Sequence, residues 1–161
     1  MSRIIGIGGV SRSGKTTLAN QLGNLLDAPV LHQDKFNASP LPKIHDHIDW
    51  EIPAAVDYNR LTSALDELGK QNDYVIVEGI LIFADTELNQ LFDIRLVLTL
   101  TEAEFKKRKS MDLRWGKEPD WYIDHIWNGF TKYGYPLTGN YVELDGTVLP
   151  SVSQVVELLD L

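Results

Sequence analysis

Gly9 and Gly14 stand five residues apart, Lys15 and Thr16 follow at once, and the apolar run Ile4–Ile7 comes before. Glycine lets a backbone turn its N–H groups inward, so several donors can converge on phosphate oxygens. A helix starting at Lys15 adds the positive end of its dipole. In such a loop the lysine neutralises charge on the β- and γ-phosphates and the threonine hydroxyl ligates Mg²⁺. A plain glycine-rich turn between strand and helix is the other reading. The strand before and the helix after favour phosphate. Gly9, Ser11, Arg12, Ser13, Gly14, Lys15, Thr16 and Thr17 are therefore the candidate ATP-binding loop.

Three further groups carry chemistry-bearing residues. Asp34 lies just past a second apolar run, in LHQDKF. It could take the proton of an attacking hydroxyl or share in holding Mg²⁺, or simply cap a turn. Glu78 ends the apolar run YVIVE, where a carboxylate needs a partner to offset its desolvation. Mg²⁺ is one such partner and a lysine is the other. Trp50 and Glu51 precede Pro53, so Glu51 can serve a helix dipole, or the pair can stack on a heterocycle and accept from ribose hydroxyls. Spacing alone does not choose between these.

The run FKKRKSMDLRW concentrates Lys106, Lys107, Arg108, Lys109 and Arg114 in a chain of net charge −8. A solvated helix face is the usual meaning of such a run. Phosphoryl transfer also calls for a guanidinium over the γ-phosphate, and Arg108 and Arg114 are the candidates. The four histidines, His32, His45, His47 and His125, show no metal-ligand spacing.

These groups need a scaffold. Runs of strand length recur at RIIGIGG, PVLHQ, DYVIVEGILIF, DIRLVLTL and YVELDG. Helical patterns lie between them at Lys15–Leu26, Ala54–Lys70, Asp85–Leu91 and Glu102–Lys109, with a last one in SVSQVVELLDL. Such alternation predicts an α/β fold with a mostly parallel five-stranded sheet between helical layers. At 161 residues the expectation is one domain. Two segments break the rhythm: Lys35–Pro53, read as an acceptor-site loop, and the aromatic stretch from Arg114 to Pro136. A lid is expected over about residues 110–121. The acidic balance argues against a general nucleic-acid binder. No run approaches a membrane span, no signal peptide opens the chain, and there is no cysteine, so a cytoplasmic protein is expected.

The order GIGGVSRSGKTTLA, LHQDKF, DWEIPAAVD, VIVEGILIF, KKRKS, PDWYIDHIW and LDGT resembles that of nicotinamide riboside kinases, which belong with uridine kinases among the phosphate-loop nucleoside kinases. The resemblance runs from Ile4 to Thr147. It implies the three-layer fold of that group, ATP as donor, Mg²⁺, and a small nucleoside as acceptor. It makes Asp34 the general base, with Lys15 beside it, and Thr16, Asp34 and Glu78 the metal residues. Lys35, Phe36, Trp50, Glu51, Lys109 and Trp115 fall to the acceptor, with Trp50 stacking on the base. Glu51 stands where the family usually has aspartate, and Lys109 where it often has arginine. Uridine is the alternative acceptor. A GTP-binding switch is the alternative of another class, and the chain carries no Asn-Lys-x-Asp element.

Overall fold

The computed structural model describes residues 1–161. Strand β1 (Arg3–Gly9) leads through the glycine loop into helix α1 (Lys15–Leu26), then strand β2 (Val30–His32). A two-stranded hairpin follows, β3 (Lys43–Ile44) and β4 (His47–Ile48), before helix α2 (Tyr58–Gly69) and strand β5 (Tyr74–Glu78). The chain continues through α3 (Thr86–Leu91), β6 (Ile94–Thr99), α4 (Glu102–Ser110), α5 (Asp120–Tyr133), β7 (Val142–Asp145) and α6 (Val152–Leu159). The main sheet has the order β2-β5-β1-β6-β7, and every pairing in it is parallel. No helix is long and apolar enough to cross a membrane.

Alternate residues of each strand feed opposite faces. Ile5, Ile7, Ile76, Leu96 and Leu98 pack with Leu18 and Leu22 of α1 and Val155 of α6. Val75, Val77 and Val97 face the other way, against Leu61 and Leu65 of α2, Phe105 of α4, and Tyr122, Ile126 and Phe130 of α5. On that second face β1 offers Ile4 at its start and then Gly6 and Gly8. The glycines' missing side chains make room for two rings: a Cβ at Gly6 would lie 2.9 Å from Phe92, and one at Gly8 2.5 Å from Phe83. The alternation Ile-Gly-Ile-Gly in β1 is thus a packing requirement.

Four boundaries differ from the sequence expectation. The strand expected over DYVIVEGILIF stops at Glu78. There Gly79 passes tightly over Gln33, whose Oε1 accepts from Leu81 N–H at 2.9 Å, and the chain leaves the sheet. The helix expected from Ala54 starts at Tyr58: Pro53–Ala55 form a separate 3₁₀ turn, and Asp57 caps α2 by accepting from Arg60 N–H. The segment read as a loop over 35–53 contains the β3–β4 hairpin, which holds His45 and His47. The aromatic stretch contains the 14-residue helix α5, so the expected lid over 110–121 is irregular only up to Pro119.

Gly8→Ala tests the packing argument. Forcing a methyl group against the Phe83 ring should cost about 2 kcal/mol, or about 4–8 °C in Tm for a chain of this size. Thermal unfolding followed by circular dichroism reads this directly, and an unchanged Tm would refute it.

Candidate active site

The parallel register brings the carboxyl ends of the central strands level: Ile7 pairs with Glu78, and Glu78 with His32. The reversal of strand order around β1 opens a crevice at those ends, where α/β sheets bind ligands. The loop after β1 fills it. Arg12 and Gly14 adopt positive φ values of 67° and 96°, which turn the loop's backbone inward. The N–H groups of Gly14, Lys15, Thr16 and Thr17 donate to no backbone carbonyl, and the buried Ser13 Oγ has no hydrogen-bond partner. Lys15 Nζ rests on its own loop, donating to Val10 O at 3.3 Å. Desolvation lowers the Lys15 pKa, and the charges of Glu78, Glu51 and Asp34 oppose that shift. Unpaired donors with one cation in their midst suit a phosphate chain.

Glu78 has a partner that the sequence reading did not consider. Its Oε1 accepts from His32 Nδ1 at 2.7 Å and from Thr16 Oγ1 at 3.2 Å. Asp34 sits in a 3₁₀ turn at Gln33–Lys35, exposed, and lines the same cleft. Thr16, Glu78 and Asp34 are hard oxygen donors on the phosphate side of the cleft, and that set fits Mg²⁺.

Across the cleft, Trp50 and Glu51 follow the hairpin. Trp50 is 39% exposed and lines the cleft, so it is not a core residue. Glu51 is buried, and burial raises its pKa to about 7. Helix α5 carries the residues that hold this segment. Tyr122 Oη donates to Ile48 O at 3.2 Å and accepts from Trp50 N–H at 3.4 Å. One turn on, His125 Nε2 donates to Asp49 Oδ1 at 2.8 Å.

The basic run divides into distinct partners. Arg108 donates from Nε to Glu104 at 2.9 Å and from Nη1 to Arg12 O at 3.0 Å, which ties α4 to the phosphate loop. Lys109 is buried between Asp112 and Glu118, at 3.7 Å and 3.5 Å. Arg114 makes two side-chain bonds to the buried Asp112, at 2.9 Å and 2.8 Å, and these hold the Asp112 carboxyl well below the usual range. Trp115 is 80% exposed at the rim.

Most of these residues border one cleft of about 1120 Å³. Pockets for a single drug-sized ligand measure roughly 300–1,000 Å³, so this cleft lies just above that range. It brings Ser11 through Thr17, Asp34, Trp50, Glu51, Glu78, Arg108, Lys109, Arg114 and Trp115 together. Three expected residues lie outside its lining. Gly9 packs against Leu98 O, Lys35 is exposed, and Phe36 joins the core beneath the Arg60 guanidinium. The sequence reading missed Tyr122 and Glu118 in the lining, and Asp49, His125 and Asp112 behind it. For Tyr122 a signal existed: Tyr122, Ile126 and Phe130 recur every fourth residue, between Pro119 and Gly134.

The fold is that of the phosphate-loop kinases. A possible uridine kinase from Bacillus stearothermophilus superposes with a TM-score of 0.59 at 20% identity, covering 89% of each chain. No family model matches the chain. Named relatives are closer in sequence. Human nicotinamide riboside kinase 1 is 29% identical over 168 residues, covering 89% of this chain and 84% of its own. The uridine kinase of Borreliella burgdorferi (strain ZS7) is 29% identical over 164 residues, covering 84% and 79%. The chain is a homologue of nucleoside kinases.

The Asp112 cluster makes a stability claim. Asp112→Ala would leave the buried Lys109 with Glu118 as its one carboxylate partner and release Arg114. Breaking such a buried pair costs roughly 3 kcal/mol, so Tm should fall by about 6–12 °C. Because the folded carboxyl pKa is depressed, its contribution is present above the unfolded value and is lost as pH falls through the folded one. The Tm difference between wild type and variant should therefore narrow in acid. A difference that does not change with pH would remove the ionic account.

Proposed function

We propose that this protein transfers the γ-phosphoryl group of ATP to the 5′-hydroxyl of a ribonucleoside, nicotinamide riboside being the acceptor that best suits the cleft. The products are nicotinamide mononucleotide and ADP. The observation that carries the reading is a single cleft with a phosphate loop at one end, Trp50 and Glu51 at the other, and Asp34 along its wall. The relationship to nicotinamide riboside kinases supports the same acceptor.

In this mechanism the Ser13–Thr17 backbone and Lys15 bind the β- and γ-phosphates, and Arg108 and Arg114 neutralise charge that spreads over the transferring group. Thr16, Glu78 and Asp34 would hold Mg²⁺, which screens the phosphate oxygens when bound. Asp34 takes the 5′-hydroxyl proton. The 5′-oxygen then bonds to the γ-phosphorus as the bond to the β,γ-bridging oxygen breaks, and ADP leaves with that electron pair. Glu51 accepts from the ribose hydroxyls and Trp50 stacks on the pyridinium ring. Lys109 and Trp115 approach the same acceptor from the lid side.

A nucleoside panel with ATP and Mg²⁺, read as ADP release, tests the reaction. Nicotinamide riboside should accelerate ADP formation most, and Asp34→Asn should slow transfer by about 10²–10⁴ with the fold intact. No acceleration by any nucleoside would end the kinase reading. Uridine as the preferred acceptor would move the chain towards its Borreliella relative.

Trp50 separates a charged base from a neutral one. A pyridinium on an indole face gains about 1–2 kcal/mol beyond burial. Trp50→Leu should therefore lower kcat/KM for nicotinamide riboside by about tenfold, affect uridine less, and leave Tm nearly unchanged because the ring is partly exposed. An equal loss for both nucleosides would mean that the ring does not read charge.

A further inference from the structure

We propose that Asp49 and His125 are a positioning pair: they aim Glu51 into the acceptor end of the cleft and keep its carboxylate available to the sugar hydroxyls. This rests on the reading of Glu51 as an acceptor ligand.

Asp49 Oδ1 accepts from two groups at once, the backbone N–H of Glu51 at 3.1 Å and His125 Nε2 at 2.8 Å. A carboxylate can only accept, so Nε2 carries the proton. Asp49 is itself anchored to the hairpin, its N–H donating to Pro42 O at 2.9 Å. One oxygen thus fixes the Glu51 backbone and connects it to α5. The helix comes close enough because residue 129 is glycine: a Cβ there would lie 3.0 Å from both Glu51 Cβ and Glu51 O. Tyr122, His125 and Gly129 lie at helical spacing on one face of α5, and all three meet the Ile48–Glu51 segment.

The electrostatics follow from the same contacts. Asp49 and Glu51 are two buried carboxylates two residues apart. Like charges disfavour joint ionisation, and Asp49 does raise the Glu51 pKa, adding to burial. The other groups facing Glu51 come from several elements. His125 from α5 and Lys109 from the end of α4 favour its ionised form, and Glu118 from the lid opposes it. The Glu51 charge in turn raises the pKa of Tyr122 and acts on Lys15 of the phosphate loop. Lys109 is already shared between Asp112 and Glu118. His125 acts on Glu51 more strongly than Lys109 does. Without it, the Asp49–Glu51 pair favours a protonated Glu51, which would offer its hydroxyl where the sugar needs an acceptor.

His125→Gln retains an N–H donor and removes the titrating ring, so it separates aim from charge. In the wild type, KM for nicotinamide riboside should rise as pH falls below about 7, approaching tenfold per unit, because Glu51 becomes protonated. In His125→Gln that profile should move to higher pH. KM at neutral pH would then be about fivefold higher for a shift of one unit, and alkaline pH would recover it. The saturating kcat and the KM for ATP should stay within about twofold. An equal rise in KM at every pH, or a fall in kcat alone, would overturn the proposal. A second measurement needs no turnover: a carboxyl NMR titration should place the Glu51 midpoint higher in His125→Gln than in the wild type. An identical midpoint refutes the pair whatever the acceptor is. Glu51→Gln tests the underlying reading separately. If it binds and phosphorylates nicotinamide riboside like the wild type, Glu51 is not an acceptor ligand, and the proposal falls for that reason.

Discussion

Glu78 is where the sheet and the phosphate loop meet, and its hydrogen bonds depend on strand register. His32 reaches it because Val30–His32 pairs in parallel with Ile76–Glu78, and Thr16 reaches it because β1 pairs one strand further in. Moving any one of these strands by a single residue would turn its side chains to the other face and leave a buried carboxylate unpaired. The register is set away from the site, by isoleucines and valines on one face and by the two glycines of β1 that admit Phe83 and Phe92 on the other. The geometry at the cleft is therefore a consequence of core packing. Gly79 then ends the strand at the carboxylate itself, so Glu78 faces the crevice and not a further turn of sheet.

To hold polyphosphate as proposed, an acidic chain has to place its cations with care. Arg108 and Arg114 each pair with a carboxylate of their own, and Lys15 rests on a backbone carbonyl. These contacts fix long side chains that would otherwise lose rotamer freedom on meeting a ligand, a loss of up to about 2 kcal/mol each. Lys109 and Arg114 share the Asp112 carboxylate, so cations and carboxylates are interleaved there.

Much of this could be read from the chain because it is local. The glycine loop, the strand before it and the helix after it are contiguous in sequence, and each dictates its conformation through its own residues. The non-local features were harder to see. His125 and Asp49 are 76 residues apart, and His32 and Glu78 are 46 apart, so each pairing exists only after the sheet and α5 are assembled. Helix α5 was masked by its own composition: four aromatic residues within DWYIDHIWNGF look like a binding loop, although Tyr122, Ile126 and Phe130 at four-residue spacing fill the core. Phe36 misleads in the opposite direction. It neighbours Asp34 in sequence, but the 3₁₀ turn between them sends Asp34 to the cleft and the ring to the interior.

Relatives named for uridine and for nicotinamide riboside are equally similar to the chain, so overall likeness does not carry acceptor choice. What remains is the surface where the hairpin segment, α5 and the irregular segment before Pro119 converge. It is built from side chains that contribute little to the sheet: Trp50 is partly exposed, Trp115 almost wholly so, and Glu51 is held through Asp49, His125 and Gly129. Substitutions there disturb few core contacts, so acceptor preference can change while the phosphate-transfer machinery is preserved. Gly129 limits that freedom, because the closeness of α5 to Glu51 allows no larger residue without moving the carboxylate. The helix that supports one face of the core thus also fixes, through Gly129, how closely it approaches Glu51.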